Sequence, residues 1–212
     1  AEGNVKKTQL RYNGNIVYNP IKDLTLSAVF SYIRDNMNRG YGETLSHISA
    51  LRDGLAGWSS VGAYTKMEKL MELTAQYNKE IGAHKFSVLG GYSYNETDFE
   101  ELWIDNYGFQ DDYFGGWHNI GIGSALKDGK ANIGSKKTPT NLIGFFGRAT
   151  YSFKNRYLLM GALRYEGASQ LWGTDNAWGL FPSVSVGWRI TEEAFMKNQK
   201  IFDDLKLRVG YG

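Results

Sequence analysis

Eight stretches of this chain alternate apolar and polar residues with a period of two. That is the repeat of an extended strand, whose successive side chains point to opposite faces. In the first stretch, 9–18, Leu10, Tyr12, Gly14, Ile16 and Tyr18 share one parity, against Gln9, Arg11, Asn13 and Asn15 on the other. At 24–32, Leu24, Leu26, Ala28, Phe30 and Tyr32 oppose Thr25, Ser27 and Ser31. The third stretch, 63–77, sets Met67, Met71, Leu73, Ala75 and Tyr77 against Glu68, Glu72, Thr74 and Gln76. The fourth, 86–94, sets Phe86, Val88, Gly90, Tyr92 and Tyr94 against Ser87, Gly91 and Ser93. Stretches at 143–153, 157–166, 183–190 and 205–211 repeat the pattern.

An apolar face on nearly every strand needs an apolar medium to lie against. No run of about 18 apolar residues exists, so a transmembrane helix is excluded. A membrane β-barrel escapes that test, because its strands are apolar only at alternate positions. A soluble β-sandwich also alternates. Connection length separates the two. The turns "NPIKD" at 19–23, "NKEIGAH" at 78–84 and "KN" at 154–155 are short, while 35–59, 95–140 and 167–180 are long. Consecutive antiparallel strands place alternate connections at the same end, so the short turns gather at one end and the long loops at the other. Tight periplasmic turns with long extracellular loops are the habit of outer-membrane barrels. The segment 191–204 reads as an amphipathic helical connection on the periplasmic side.

Aromatic placement points the same way. Tyr18, Tyr77, Tyr151, Phe153, Tyr157 and Trp188 lie next to the short-turn end; Tyr32, Tyr94, Tyr165 and Tyr211 lie toward the long loops. All are on the apolar parity, as two membrane–water interfaces require. In "GLFPSVSVGWRITEE" at 179–193, Pro182 opens a strand at the loop end, where its missing N–H costs least. The expected fold is all-β, an antiparallel transmembrane barrel segment of about eight strands, from 212 residues.

Composition narrows function. A net charge of +2 supplies no field for nucleic acid. With no cysteine there is no disulfide framework, thiol nucleophile or cysteine-held metal. "AEGNVKKTQL" has no apolar leader core, so the chain reads as a mature start or as a piece of a longer protein.

From 155 to 198 the sequence runs "NRYLLMGALRYEGASQLWGTDNAWGLFPSVSVGWRITEEAFMKN", and it closes on "LKLRVGYG". This resembles the barrel of SusC-like (RagA-like) TonB-dependent outer-membrane transporters of Bacteroidetes. The shared pattern is a strand ending in an Arg-x-Asp-Gly-Ser-Ser corner, a Trp-Gly-x-Phe-Pro-Ser strand, then Gly-Trp-Arg-Ile, an acidic pair, Phe-Met and a Leu-Lys-Leu-Arg strand. "GGYSYNET" resembles the family's Gly-Tyr-Ser strand end. The corner departs from the pattern in carrying Glu166 and Ala168. The resemblance implies a barrel of about 22 strands with a plug, of which this chain holds only a barrel segment and no plug. It implies location in the bacterial outer membrane and no enzymatic activity. It also implies uptake of oligosaccharide or peptide fragments with a SusD-like surface lipoprotein, energised by the TonB complex. Two other readings remain at this point: a small closed eight-stranded outer-membrane protein with an adhesive or structural role, and a soluble carbohydrate-binding β-sandwich.

Candidate contact residues fall in two groups. The loop 95–140 holds seven acids within 96–112, interleaved with Trp103, Tyr107, Phe109, Tyr113, Phe114 and Trp117. Such aromatics either stack on substrate or partner, or pack the loop on itself. The acids lack calcium-loop spacing and read as solvated charge. On the polar parity, Arg148, Arg164, Glu166, Arg189, Lys206 and Arg208 are expected to face the barrel lumen. His47, His84 and His118 lie far apart in connections, with no nucleophile motif around them, so no catalytic residue, metal or cofactor is expected. In cell fractionation the protein is expected in the outer membrane and to need detergent for release; recovery in a detergent-free soluble fraction would defeat both membrane readings.

Overall fold

A computed structural model describes residues 1–112, 116–199 and 201–212. It consists of one eight-stranded antiparallel sheet whose strands follow chain order: β1 (Glu2–Ile21), β2 (Leu24–Glu43), β3 (Trp58–Ile81), β4 (His84–Tyr107), β5 (Asn132–Phe153), β6 (Tyr157–Ala168), β7 (Trp178–Arg189) and β8 (Lys206–Tyr211). A single sheet is not a two-layer sandwich, so that alternative is set aside. Short helices α1 (Ile48–Arg52) and α2 (Ser124–Lys127) lie in the two longest connections. Two compact units share the sheet residues. One comprises 1–12, 32–68 and 96–139; the other comprises 13–31, 69–95 and 140–212.

In the second unit the short turns form a stitched rim. Asp23, Gly82, Lys154 and Asn155 take positive φ values of 79°, 58°, 51° and 54°, the backbone that tight hairpins with native strand twist demand. Asn78 N donates to Asp23 O (2.8 Å), Lys154 N to Ala83 O (2.8 Å), and Arg189 N to Arg156 O (2.8 Å). Lys79 adds an ion pair to Asp23 at 2.6 Å.

The register of β5 to β8 sorts side chains into rows across the sheet. On one face the rows are Phe153–Tyr157–Trp188–Leu207, Tyr151–Leu159–Val186–Val209, Ala149–Gly161–Val184–Tyr211, Gly147–Leu163–Pro182, Phe145–Tyr165–Leu180 and Ile143–Gly167–Trp178. This face is apolar throughout. Aromatics concentrate in the rows at its two ends, where Phe153 and Tyr157 approach to 6.4 Å and Tyr165 stacks on Trp178 at 4.8 Å. The other face is mixed, with Phe146–Arg164–Phe181, Arg148–Ala162–Ser183, Thr150–Met160–Ser185 and Ser152–Leu158–Gly187–Arg208. Along β1 and β2 the polar parity forms a side-chain ladder: Thr25 Oγ1 donates to Asn19 Oδ1 (2.8 Å), Ser27 Oγ to Asn15 Oδ1 (3.3 Å) and Ser31 Oγ to Asn13 Oδ1 (2.8 Å).

Three expected connections are shorter than the sequence pattern predicts. Positions 35–43 and 58–59 of the expected loop 35–59 are strand, as are 95–107 and 132–140 of the loop 95–140. The loop at 167–180 contracts to 169–177. Apolar alternation fades in these stretches, but a backbone ladder does not depend on it. There the sheet is held by polar cross-strand pairs, such as Thr65 Oγ1 to Asn36 Oδ1 (3.0 Å) and Lys137 to Asp98 (3.1 Å), and by the ring contact of Tyr64 with Phe99 (5.5 Å). The connection 191–204 is not one helix. It makes two 3₁₀ turns, Ile190–Glu192 and Ala194–Met196, because Ile190 N and Thr191 N donate to Leu205 O (2.8 and 3.4 Å) and hold the segment to the entry of β8.

The two faces should respond differently to charge. Val184→Arg, midway along the apolar rows, is expected to destabilise the barrel by about 2–4 kcal/mol, as for arginine at a bilayer midplane. Ser183→Arg, on the opposite parity, is expected to change stability far less. Denaturant unfolding of the full-length protein in bilayers measures both.

Candidate functional site

The loop between β4 and β5 folds on its own side chains. Gly108 turns the chain out of β4 with φ +79°. Asn106, fully buried, donates from Nδ2 to Ile120 O (2.6 Å) and Gly123 O (3.1 Å), and its Oδ1 accepts from Tyr107 N (2.9 Å). One amide thus satisfies loop carbonyls that burial would otherwise leave unpaired. Phe109 N donates to Ala56 O (2.7 Å), and the residue is only 6% exposed. Asp112 Oδ1 accepts from Leu45 N (2.8 Å), joining this loop to the β2–β3 connection.

The aromatics named from sequence divide accordingly. Phe109 is core. Trp117 is half-buried, its indole lying on the backbones of Gly40 and Gly42, where any Cβ would meet the ring. Trp103 on β4 is half-buried against Gly134 on β5 in the same way. Tyr107 is half-buried at the end of β4. Tyr113 and Phe114 lie outside the described residues. Beside Phe109 and Trp117 is an acidic cavity of about 230 Å³, lined by Glu2, Glu43, Asp111 and Asp112. Among the described residues no group of three or more His, Asp or Glu side chains is arranged to hold a metal ion.

In the other unit, the six charged residues named from sequence share the mixed face. Arg164 Nη2 meets Glu166 Oε1 at 2.5 Å, and its guanidinium lies 5.8 Å from the Phe146 ring centroid. Arg148 shares a row with Ala162 and Ser183. Arg208 Nη2 donates to Ser185 Oγ (3.4 Å), and Arg189 reaches Asp204 at 3.8 Å. Lys206 is the register partner of Arg189. A concavity of about 420 Å³ on this face is bordered by Ser87, Thr150, Ser152, Ser185, Lys206 and Arg208. The face sets arginines, a lysine and hydroxyls among Phe146, Leu158, Met160 and Phe181.

Sequence reasoning missed Glu193. Its carboxylate accepts from Tyr157 Oη (2.7 Å), Trp188 Nε1 (3.1 Å) and Arg156 Nη1 (3.0 Å). These partners come from two neighbouring strands and the turn between β5 and β6. The available signal was the acidic pair just beyond Trp188, four and five residues after the indole whose N–H must find an acceptor.

Strands β5 to β8, with an apolar band on one face, aromatic rows at both ends of that band and a mixed opposite face, have the pattern of a membrane-spanning β-barrel segment. A family model described as TonB dependent receptor-like, beta-barrel matches residues 2–212, and the chain belongs to that family of the bacterial outer membrane. It is 32% identical over 199 residues to TonB-dependent receptor P26 of Formosa agariphila, covering 93% of this chain and 20% of that protein. It is 34% identical over 157 residues to TonB-dependent receptor SusC of Bacteroides thetaiotaomicron, covering 74% and 14%. The chain therefore spans no more than a fifth of the length of these curated relatives. A solved structure of the RagAB peptide transporter superposes with a TM-score of 0.81 at 22% identity, over 99% of this chain and 22% of that one.

The Tyr157 and Trp188 donors, followed by Arg156, hold the Glu193 carboxyl below the usual carboxylate range. A depressed folded pKa means that the unfolded chain binds the proton first. The stabilisation is therefore complete above the ordinary glutamate range and is lost as pH falls through the lowered value. Thermal unfolding of the full-length protein as a function of pH should show this acid-side loss, and Glu193→Gln should flatten it while lowering stability at neutral pH.

Proposed function

We propose that the full-length protein is an energy-coupled importer of oligosaccharide or peptide fragments, and that this chain is eight staves of its barrel. The observation that carries this reading is the match of the TonB-dependent receptor barrel family to the sheet from residue 2 to 212. β1 and β8 are the outermost strands of the sheet order. Unpaired strand edges in hydrocarbon are prohibitive, so both edges join further strands of a barrel of about 22. That requirement favours the large transporter over a small closed barrel.

The apolar face lies against lipid. Arg148, Arg164, Glu166, Arg189, Lys206 and Arg208 line the interior, where they meet the plug or the solute path. The turns at 22–23, 82–83 and 154–156 and the connection 190–205 face the periplasm; the connections 44–57, 108–131 and 169–177 face outward. A SusD-like surface lipoprotein caps the outward end, with Trp103, Tyr107, Tyr113, Phe114 and Trp117 as candidate contacts. Burial removes Phe109 from that set. The TonB complex acts through parts of the protein outside this chain.

Deleting the gene in its native host is expected to abolish growth on one class of oligosaccharide or peptide while leaving growth on the corresponding monomers intact, and loss of TonB should do the same. Unchanged uptake of every oligomer tested in both strains would overturn the proposal.

A further inference from the structure

The connection between β7 and β8 is longer than a hairpin needs. The other connections at its end of the sheet close over 22–23, 82–83 and 154–156, whereas this one runs from 190 to 205. It is a loop with a hydrogen-bonded neck. Ile190 N and Thr191 N donate to Leu205 O (2.8 and 3.4 Å), Leu205 N donates to Thr191 Oγ1 (3.4 Å), and Thr191 Oγ1 donates to Asp204 Oδ1 (3.3 Å). With its ends closed in this way, the loop can take a place of its own beside the sheet.

Three features fix that place. First, Glu193 accepts from Tyr157 Oη (2.7 Å) and Trp188 Nε1 (3.1 Å). Both rings stand in the last apolar row, Phe153–Tyr157–Trp188–Leu207, so the carboxylate draws the loop to the rim of the apolar face and not of the mixed one. Second, the loop displays apolar side chains: Phe195 is 69% exposed, Ile201 82% and Phe202 49%. Their backbone is nonetheless ordered by a polar staple. Gln199 Oε1 accepts from Ile201 N (2.7 Å) and Phe202 N (2.8 Å), and its Nε2 donates to Phe202 O (2.7 Å). Apolar side chains held outward on a fixed backbone mark a contact surface. Third, cations stand at the same rim. Lys154 lies over the Phe153 ring at 5.2 Å and Lys197 is exposed, and neither makes an ion pair among the described residues.

Apolar side chains, unpaired lysines and a row of tyrosine and tryptophan at one level are the chemistry of a segment lying in the head-group region. Rings and aliphatic chains enter the acyl boundary, while lysines reach up to phosphates. Through Glu193 the loop surface is continuous with the lipid-facing rows, and that continuity selects a membrane leaflet as its occupant over a protein partner.

We propose that the 190–205 loop is an interfacial foot. Phe195, Ile201 and Phe202 dip into the phospholipid leaflet at the short-turn end, Lys154 and Lys197 meet its phosphates, and the foot sets the depth of β7 and β8 in the bilayer. The proposal rests on the apolar face of β5 to β8 being the lipid face, and is independent of what the protein imports.

The test is spin labelling of the full-length protein in phospholipid nanodiscs, with any cysteine outside this chain replaced, since the chain itself has none. Single nitroxides enter through Phe195→Cys, Ile201→Cys, Asn198→Cys and Val184→Cys, all exposed positions where a label leaves the sheet intact. Accessibility to oxygen, which concentrates among acyl chains, is compared with accessibility to a water-soluble nickel chelate. The oxygen-to-nickel ratio is expected to be highest at 184, severalfold above the value for 198 at both 195 and 201, and lowest at 198. Ratios at 195 and 201 equal to that at 198 would place both in water and overturn the proposal. Immobile labels at 195 and 201, closed to both reagents, would place them under protein and overturn it equally. A nickel-accessible label at 184 would overturn the lipid-face reading, and the proposal with it.

Discussion

Backbone hydrogen bonding is the constraint on which everything else depends. In hydrocarbon, each unpaired N–H or C=O costs several kcal/mol. A chain without a long apolar helix can meet that demand only by pairing strand to strand. The eight strands do so in simple chain order, joined by hairpins whose turn residues accept positive φ. The rim bonds 78–23, 154–83 and 189–156 extend the same accounting from within hairpins to between them. Because the ladder is a property of the backbone, it does not stop where the apolar side chains stop. That is why β3 and β4 each reach 24 residues, about twice the 9–11 that cross a bilayer.

Once the ladder exists, the strand period sorts chemistry between two media. A direct cross-strand partner always lies on the same face, so parity chosen on one strand must be repeated by its neighbours. The rows through Val184 and Val186 obey this without exception. The opposite face is freer: Phe146, Phe181, Leu158 and Met160 stand among arginines and hydroxyls there. Lipid rejects unpaired polar groups, whereas a protein-filled or hydrated interior accepts both kinds. Aromatic rows complete the arrangement. Where an indole or phenol reaches the edge of the apolar band its polar tip needs an acceptor, and Glu193 serves Trp188 and Tyr157 together while drawing in Arg156.

Much of this was legible along the chain. The number of strands, their parities, the three tight turns and the shared face of Arg148, Arg164, Glu166, Arg189, Lys206 and Arg208 follow from period-two alternation. Strand ends beyond the apolar band were not legible, since hydropathy reports the medium and not the ladder. Positions 35–43 and 132–140 carry Asn, Lys, Thr and Gly and read as loop, yet they pair. The loop aromatics were ambiguous for a different reason. Whether Phe109 meets a partner or a core depends on where Ala56 and Gly116 arrive, and nothing near residue 109 in the sequence says so.

By itself, then, the sequence determined what each strand presents to its two surroundings, because alternation is a local property that backbone geometry converts directly into faces. Only the tertiary structure decided which residues close on one another across connections. Asn106 holding two loop carbonyls, Trp117 settling on Gly40 and Gly42, and Glu193 gathering three donors all join positions whose separation along the chain carries no periodic signal. Their contacts are set by where the strand ends deliver them, and that is a property of the folded sheet.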